Sequence, residues 1–249
     1  MKCLLVTSKL TFVPDNYALF LEGVLQRAAH LVGGVVFVDN VDFKTVAKIP
    51  ILAAMGAPRI AMAMGKNFLE LPLGKRNAKA AAHAIPVKEF SSMNHPDAIA
   101  WAREQGFDLI VNARTRDIYR KEILSVPKLG CINVHHGLLP EERGTMCDLF
   151  ALSEGTNAGF SIHVMTPKLD DGQILLRRVV SQVGELDFVS YLQRASGVEG
   201  EVMGDLLLDI ERNGVLPRGV PNHSDAVKYR KLVPSRAAVR AIVSKGVRL

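Results

Sequence analysis

Cysteine is scarce in this sequence: only Cys3, Cys131 and Cys147 occur among 249 residues. No two of them have the Cys-X-X-Cys spacing, and their odd number argues against a framework of disulfides. The sequence therefore does not resemble a small secreted domain held together by disulfides. The predicted compartment is the cytoplasm, where thiols stay reduced.

Long hydrophobic runs are also missing. No stretch of about 18 uncharged apolar residues occurs, so no membrane span is expected. The apolar run at residues 2–7 is too short for the core of a signal peptide and predicts a buried first strand. No block of like charges appears, and the net charge of +6 suits a small anionic partner. Because no nucleic-acid-binding motif is present, no nucleic acid partner is expected.

What is present is typical of a globular protein, with 48% hydrophobic and 22% charged residues. Short β-rich runs alternate with helical patterns along most of the chain. This alternation predicts an α/β fold, a Rossmann-like, mostly parallel twisted sheet with helices on both faces. We expect strands at 2–7, 35–38, 85–87, 108–112, 129–135, 161–165 and 173–176, and helices at 16–31, 94–105, 145–155 and 188–212.

Polar and glycine residues mark where these helices begin and end. Asp15 is the predicted N-cap of the first helix, which Gly33 and Gly34 terminate, and Asn94 is the predicted cap of the second. Asn213-Gly214 ends the long fourth helix. The Ala- and Met-rich segment 41–84 predicts several short helices, and the basic tail 216–249 a surface extension ending in a short helix.

The methionines of segment 41–84 have two interpretations. Met55, Met62 and Met64 are favoured as core residues, because methionine fills irregular gaps between helices. The alternative is an exposed face that binds a membrane surface or forms a homodimer.

Two polar motifs stand out in the second half of the chain. The first is Cys-Ile-Asn-Val-His-His-Gly-Leu-Leu-Pro at 131–140, followed by Arg143 and Gly144. The second is Gly-Phe-Ser-Ile-His at 159–163, followed by Leu-Asp-Asp-Gly-Gln-Ile at 169–174. Asn133 and His135 lie two residues apart at a strand's carboxyl end, where open α/β sheets bind ligands, and project to the same side.

Other interpretations exist for each of these residues. An asparagine at a strand end is often a turn residue, and Asp170-Asp171-Gly172 is by itself a turn signal. A zinc site is the main competing hypothesis for the group His135, His136, His163 and Cys131. It is disfavoured, because successive strand residues face opposite ways and the usual ligand spacing is absent. We therefore expect no metal.

Together and in this order, the two motifs resemble the signature of the folate-dependent formyltransferases. The resemblance implies transfer of a formyl group from N10-formyltetrahydrofolate to an amine, with residues 1–215 as the catalytic domain and 216–249 as an extension packed on it. It assigns catalysis to Asn133, His135 and Asp170. Formyl transfer needs a donor to the developing oxyanion and a proton acceptor, roles that asparagine and a histidine–aspartate pair can perform.

The resemblance also suggests where the ligands bind. We expect the folate donor to contact residues before the first motif and near both motifs: Arg116, Asp117, Ile118, Tyr119, Leu139 and Thr166. For the acceptor we expect Arg114, Gly137, Arg143 and His163. Family members often have serine two residues after the catalytic histidine, where this chain has Gly137. Arg114 and Arg116 have two interpretations: they bind an anionic part of the cofactor or acceptor, or they are ordinary surface charges.

Two features that the sequence lacks narrow the set of possible acceptor amines. The loop after the first strand lacks the Gly- and Ser-rich pattern of the glycinamide ribonucleotide enzymes. Some 35 residues follow the last long helix, too few for the β-barrel of the methionyl-tRNA enzymes. The leading hypothesis is a nucleotide-linked amino sugar. The alternatives are another small amine such as hydroxyornithine, formyltetrahydrofolate hydrolysis, and a folate-binding protein without catalysis.

Overall fold

The computed structural model describes residues 1–71, 74–231 and 235–249. Residues 72–73, within the segment expected to form short helices, and residues 232–234, within the expected extension, lie outside the described residues.

One sheet of seven strands organises the described chain, in the order β3-β2-β1-β4-β5-β7-β8. The first five strands in this order pair in parallel, and β5–β7 and β7–β8 are antiparallel. The predicted α/β fold with a mostly parallel sheet is therefore confirmed. The strands are β1 Cys3–Ser8, β2 Val32–Val38, β3 Val87–Phe90, β4 Leu109–Ala113, β5 Cys131–His135, β6 Glu142–Gly144, β7 Gly159–Val164, β8 Ile174–Val179 and β9 Lys228–Arg230.

Helices cover both faces of this sheet, as expected for parallel strands that are apolar on both sides. Helices α1 and α8 contribute to the core on one face, and α5 and α6 to the core on the other. The helices are α1 Ala18–Ala28, α2 Phe43–Met55, α3 Pro58–Leu69, α4 Lys75–Ala81, α5 Pro96–Gln105, α6 Lys121–Leu124, α7 Cys147–Glu154, α8 Phe188–Asn213 and α9 Arg236–Val243.

The predicted start of the first helix and the role given to its two glycines are wrong, whereas helical backbone does continue to Leu31 through a 3-10 turn at Ala29–Leu31. Helix α1 begins at Ala18, and Asp15 belongs to a preceding turn whose backbone is left-handed, with φ of 51°. The turn is held by Asn16, whose side chain bonds the main chain of Thr11 and Lys9. Gly33 and Gly34 lie inside β2, where Val32 and Gly34 pair with β1 and Gly33 occupies an irregularity between them.

Asn94 is likewise not a helix cap. His95 caps α5, accepting a hydrogen bond from the Asp97 amide. Asn94 instead holds the loop after β4: its amide donates to the Ile118 carbonyl at 2.9 Å and accepts from the Arg120 amide at 2.7 Å. Its tertiary partners override the local helix signal.

The Met-rich segment forms α2, α3 and α4, so the expectation of several short helices is confirmed. The core interpretation holds for Met64, which is buried, whereas Met62 is 69% exposed. No residue of α2, all of which the structure describes, is buried, and Phe43 is 88% exposed. The alternative of a membrane-surface or homodimer-forming face stays a prediction. Within the described residues, no helix has the length and apolar content to cross a bilayer.

The tail after α8 returns across the second half of the sheet. Val220 and Ile174 exchange two main-chain hydrogen bonds, and β9 pairs in parallel with β6. Helix α9 buries Val239 and Ile242. The Leu249 carbonyl accepts from the Arg59 amide at 3.0 Å. These contacts bring residues 219–230 next to the segments that carry the two motifs.

Candidate active site

Three polar side chains lie abreast on adjacent strands because of the sheet register. Asn133 of β5 is paired with Asn112 of β4 on one side and with His163 of β7 on the other. Each pair is hydrogen-bonded: Asn112 Nδ2 donates to Asn133 Oδ1 at 2.8 Å, and Asn133 Nδ2 lies 3.1 Å from His163 Nε2. The predicted catalytic asparagine is therefore held from both sides.

Main-chain contacts set the direction of these bonds. His163 Nδ1 lies 2.9 Å from the Val164 carbonyl, which can only accept, so Nδ1 carries the hydrogen. Nε2 of a neutral His163 must then accept from the Asn133 amide. Within the described residues these contacts use one of the two amide hydrogens of Asn133, leaving the second to donate to a bound molecule.

His135 and Asp170 form the second half of the site. His135 is 5% exposed, and its Nε2 donates to the Glu142 carbonyl at 2.7 Å. Its Nδ1 lies 3.5 Å from Asp170 Oδ1, and the other carboxylate oxygen accepts from the Gly144 amide at 3.2 Å. Because Nε2 carries the hydrogen in a neutral His135, the unprotonated Nδ1 is the nitrogen that faces the carboxylate.

His163 is also close to Asp170, with 3.7 Å between Nε2 and Oδ1. Burial lowers the pKa of His163 to about 4, and the neighbouring His135 adds to the effect. His163 is therefore neutral at physiological pH and serves as an acceptor for Asn133, while His135 is the histidine placed beside the carboxylate to accept a proton.

We expect His163 to resist protonation until the pH approaches 4. Between its ordinary pKa of 6.5 and this lowered value, the unfolded chain binds a proton that the folded protein does not. The free energy of unfolding should therefore fall by about 3 kcal/mol on this account as the pH drops through that window. Above pH 6.5 the residue contributes no pH dependence. A ring titration by NMR measures it, and a midpoint near the ordinary value would contradict the burial argument.

The residues expected to bind the folate donor differ in their exposure to solvent. Arg116 and Ile118 are exposed at the exit of β4. Tyr119 is buried, with its hydroxyl 3.4 Å from Asn112 Oδ1, and Leu139 is fully buried. Asp117 bonds Ser92 and the Met93 amide. A further expected residue, Thr166, closes a turn with Lys168. Their roles toward a ligand stay predictions.

Arg114 and Arg116 do not form a shared anion-binding site. The chain turns at Arg114, where φ is 56°, and its side chain is 8% exposed. The guanidinium stacks over the Tyr17 ring and lies 3.4 Å from Glu199 Oε1 of α8. Because it is engaged inside the fold while Arg116 is exposed, the geometry does not support the expected paired contact with an anionic group.

Glu199 is the centre of a buried polar cluster behind the site. Its carboxylate accepts from the Tyr17 hydroxyl at 2.5 Å and lies 3.3 Å from His136 Nε2. Burial acts to raise the pKa of Glu199, but His136 and Arg114 outweigh it and lower the pKa. The carboxylate is therefore ionised and balances Arg114. His136 faces this cluster and His135 faces Asp170, so the two histidines point to opposite sides.

Gly137 and Arg143, two further residues of the expected acceptor site, are closely packed against other residues of the chain. A Cβ at Gly137 would lie 2.8 Å from His135 Nε2 and 2.9 Å from the Glu142 carbonyl, so this glycine leaves room for their hydrogen bond. The Arg143 side chain is 8% exposed and bonds Asn222 of the tail. Within the described chain, no three His, Cys, Asp or Glu side chains form a group suited to a metal ion.

Asn112, Glu142 and Asn222 belong to the site but were not found from the sequence. Asn112 carries a recognisable signal, a polar residue ending a buried strand. Glu142 takes part through its main-chain carbonyl, for which side-chain patterns carry no signal. Asn222 bonds the Asp170 carbonyl although the two residues are 52 positions apart in the sequence, so no local sequence pattern predicts that contact.

Comparison with known proteins identifies relatives for this arrangement. The family described as Formyl transferase matches residues 66–207. A methionyl-tRNA formyltransferase of Xanthomonas axonopodis is 33% identical over 153 residues, 61% of this chain and 49% of that protein. One from Geobacter metallireducens is 34% identical over 140 residues, 56% of this chain and 45% of that protein. The chain thus spans about half the length of these curated relatives.

Solved structures share the fold. A sugar N-formyltransferase from a Shewanella species has a TM-score of 0.58 at 18% identity, covering 98% of this chain and 88% of that one. A phosphoribosylglycinamide formyltransferase from Anaplasma phagocytophilum has a TM-score of 0.60 at 16% identity, covering 86% of this chain and 88% of that one. At such identities the likeness is one of fold alone.

Proposed function

Because this chain belongs to the formyl transferase family, we propose that it transfers a formyl group from N10-formyltetrahydrofolate to the amine of a small molecule. The observation that carries the proposal is the joint placement of Asn133, His135 and Asp170. An oriented amide donor lies on the same strand as an imidazole that contacts a carboxylate at 3.5 Å. These are the groups that formyl transfer requires.

The reaction can be written with these side chains. The amine lone pair forms a bond to the formyl carbon, and the carbonyl π electrons move to oxygen. The free amide hydrogen of Asn133 donates to that oxyanion. The attacking nitrogen loses a proton to the His135–Asp170 pair. The oxyanion then collapses, the bond from carbon to N10 breaks, and N10 takes a proton, which gives the formamide and tetrahydrofolate.

The donor is proposed to enter over the exit of β4. Ile118, 61% exposed, offers an apolar contact beside the exposed Arg116, and a folate presents both an aromatic ring system and carboxylates. Asn94 holds this loop through the main chain of Ile118 and Arg120. A contact surface on a preorganised loop lowers the entropy lost on binding.

The leading acceptor is a nucleotide-linked amino sugar. The net charge of +6 supports it, because the nucleotide part of such a sugar is anionic. Methionyl-tRNA is the second candidate, because the curated relatives carry that activity in their names. Formylation of hydroxyornithine, hydrolysis of the donor and folate binding without catalysis are the remaining candidate functions. The three cysteines are free and buried, which suits the cytoplasm we propose as the compartment.

Parallel assays distinguish these acceptors. Purified protein is incubated with N10-formyltetrahydrofolate and a panel of nucleotide-linked amino sugars, hydroxyornithine, charged initiator tRNA or no acceptor. We expect tetrahydrofolate release with one small amine and none at a useful rate with methionyl-tRNA. Efficient formylation of the tRNA would overturn the small-molecule proposal. Fast release of formate without an acceptor would favour hydrolysis, and tight folate binding without turnover would favour a binding protein.

A further inference from the structure

The loop that carries Asp170 has an unusual backbone. Asp170 has a φ of 49°, in the left-handed region that favours glycine. Two residues later, a Cβ at Gly172 would lie 1.9 Å from the Val164 carbonyl, so the loop is pressed against β7. A non-glycine residue in this conformation is strained and persists where surrounding contacts impose it.

Asn222 of the tail supplies such contacts. Its Nδ2 donates to the Asp170 carbonyl at 2.9 Å and to the Gly172 carbonyl at 2.9 Å. One side-chain amide thus spans the loop and satisfies two carbonyl groups at once. Both bonds reach the main chain on either side of Asp171, and they leave the carboxylate of Asp170 free to face His135.

Arg143 of β6 fixes the orientation of this amide. Its Nη2 donates to the Asn222 carbonyl at 2.7 Å and to Asn222 Oδ1 at 3.1 Å. Because a guanidinium can only donate, Oδ1 must face Arg143 and Nδ2 must face the loop. Arg143 also lies 3.4 Å from Asp171. Its neighbour Gly144 donates to the Asp170 carboxylate.

The tail is anchored on both sides of Asn222. Val220 exchanges main-chain hydrogen bonds of 2.9 and 3.0 Å with Ile174 at the start of β8. Eight residues further on from Val220, Lys228 begins β9, which pairs with β6. Asn222 is therefore held at a defined place over the loop by the pairing of the tail with β8 on one side and with β6 on the other.

We propose that Asn222 is a positioning residue, which holds the main chain of the Asp170 loop so that the carboxylate meets His135. This inference rests on the proposed formyl transfer for its kinetic consequences, but its geometric claim is independent of that reaction. The groups facing the Asp170 carboxylate are His135 of β5, His163 of β7 and the Gly144 amide of β6. Loss of the two hydrogen bonds from Asn222 would let the loop relax and separate the carboxylate from His135.

The experiment compares Asn222→Ala with His223→Ala, a neighbouring tail residue whose side chain is 84% exposed. We expect kcat to fall by about 10- to 10²-fold in Asn222→Ala, as small misplacements of catalytic groups do, with both KM values near wild type. His223→Ala should retain wild-type kinetics. In an Asp170→Asn background, Asn222→Ala should cause little further loss, because the carboxylate it positions is already gone.

A second readout needs no substrate. In a crystal structure of Asn222→Ala, the distance from His135 Nδ1 to the Asp170 carboxylate should exceed the 3.5 Å of the wild-type protein, because the loop has relaxed. In His223→Ala the distance should stay at its wild-type value. This readout still decides the positioning claim if no formyl transfer is found. An unchanged distance in folded Asn222→Ala would overturn it. Should the alanine variant not fold, the isosteric Asn222→Asp, which lacks both N–H donors, gives the same test.

Discussion

Replacing Asn133 with alanine lowers kcat for formyl transfer by about 10²- to 10³-fold, the loss typical of removing one oxyanion donor. The amide of Asn133 is oriented from both sides, by Asn112 and by neutral His163. Its remaining hydrogen is therefore fixed before the substrate arrives and needs no reorganisation as the negative charge develops. The KM values should change much less than kcat, because this interaction strengthens only in the transition state.

The other two residues of the trio give matched variants. Asp170→Asn keeps the shape of the side chain and removes the charge beside His135, so we expect a loss in kcat of about 10²-fold or more. Replacing His135 should lower kcat by a similar factor, because the attacking nitrogen loses its proton acceptor. Circular dichroism and thermal unfolding confirm that each variant is folded. A folded Asn133→Ala or Asp170→Asn protein with near-normal turnover would remove that residue from the mechanism.

Gly137→Ala is expected to lower kcat by about 10²-fold, although glycine and alanine differ by one methyl group. The added Cβ would lie 2.7 Å from the Cys147 Cβ and 2.8 Å from His135 Nε2. The protein must then displace the imidazole from the Glu142 carbonyl or shift the start of α7. Overpacking of this kind commonly costs about 1–3 kcal/mol of stability as well.

Gly197→Ala is the matched control for this substitution. Gly197 lies in α8, where a Cβ would meet no heavy atom within 4 Å in the described chain. Alanine is favoured over glycine in a helix by about 0.5–1 kcal/mol, so this variant should be as active as the wild type and slightly more stable. If Gly137→Ala matched the wild type in both kcat and stability, the space beside His135 would not be restricted as the structure indicates.

The sequence predicts the sheet well because its central strands are buried on both faces. Such strands are continuous apolar runs, as in β1 and β4, and need no knowledge of their neighbours to be recognised. The side on which Asn133 and His135 project also follows from the alternation of a strand. His136 faces Glu199, as the same alternation requires.

Contacts between distant segments could not be predicted in this way. Asp15 and Asn94 are residue types that often cap helices. In the structure, however, Asp15 lies in the turn before α1, and Asn94 donates to the Ile118 carbonyl in the loop after β4. Arg114 resembles a surface cation in the sequence, yet Glu199, 85 residues away, pairs with it inside the fold. Asn222 has no catalytic signature, because its position over Asp170 depends on the pairing of β9 with β6.

The most direct test of the proposed activity follows an isotopically labelled formyl group. The donor is N10-formyltetrahydrofolate carrying ¹³C in the formyl carbon, and the products are analysed by mass spectrometry and NMR with each candidate amine. We predict that the label appears as a formamide on a small-molecule amine, at a rate that Asn133→Ala reduces by about 10²-fold or more. Label found only as formate with every amine, or a donor that remains unconsumed, would contradict formyl transfer by this chain.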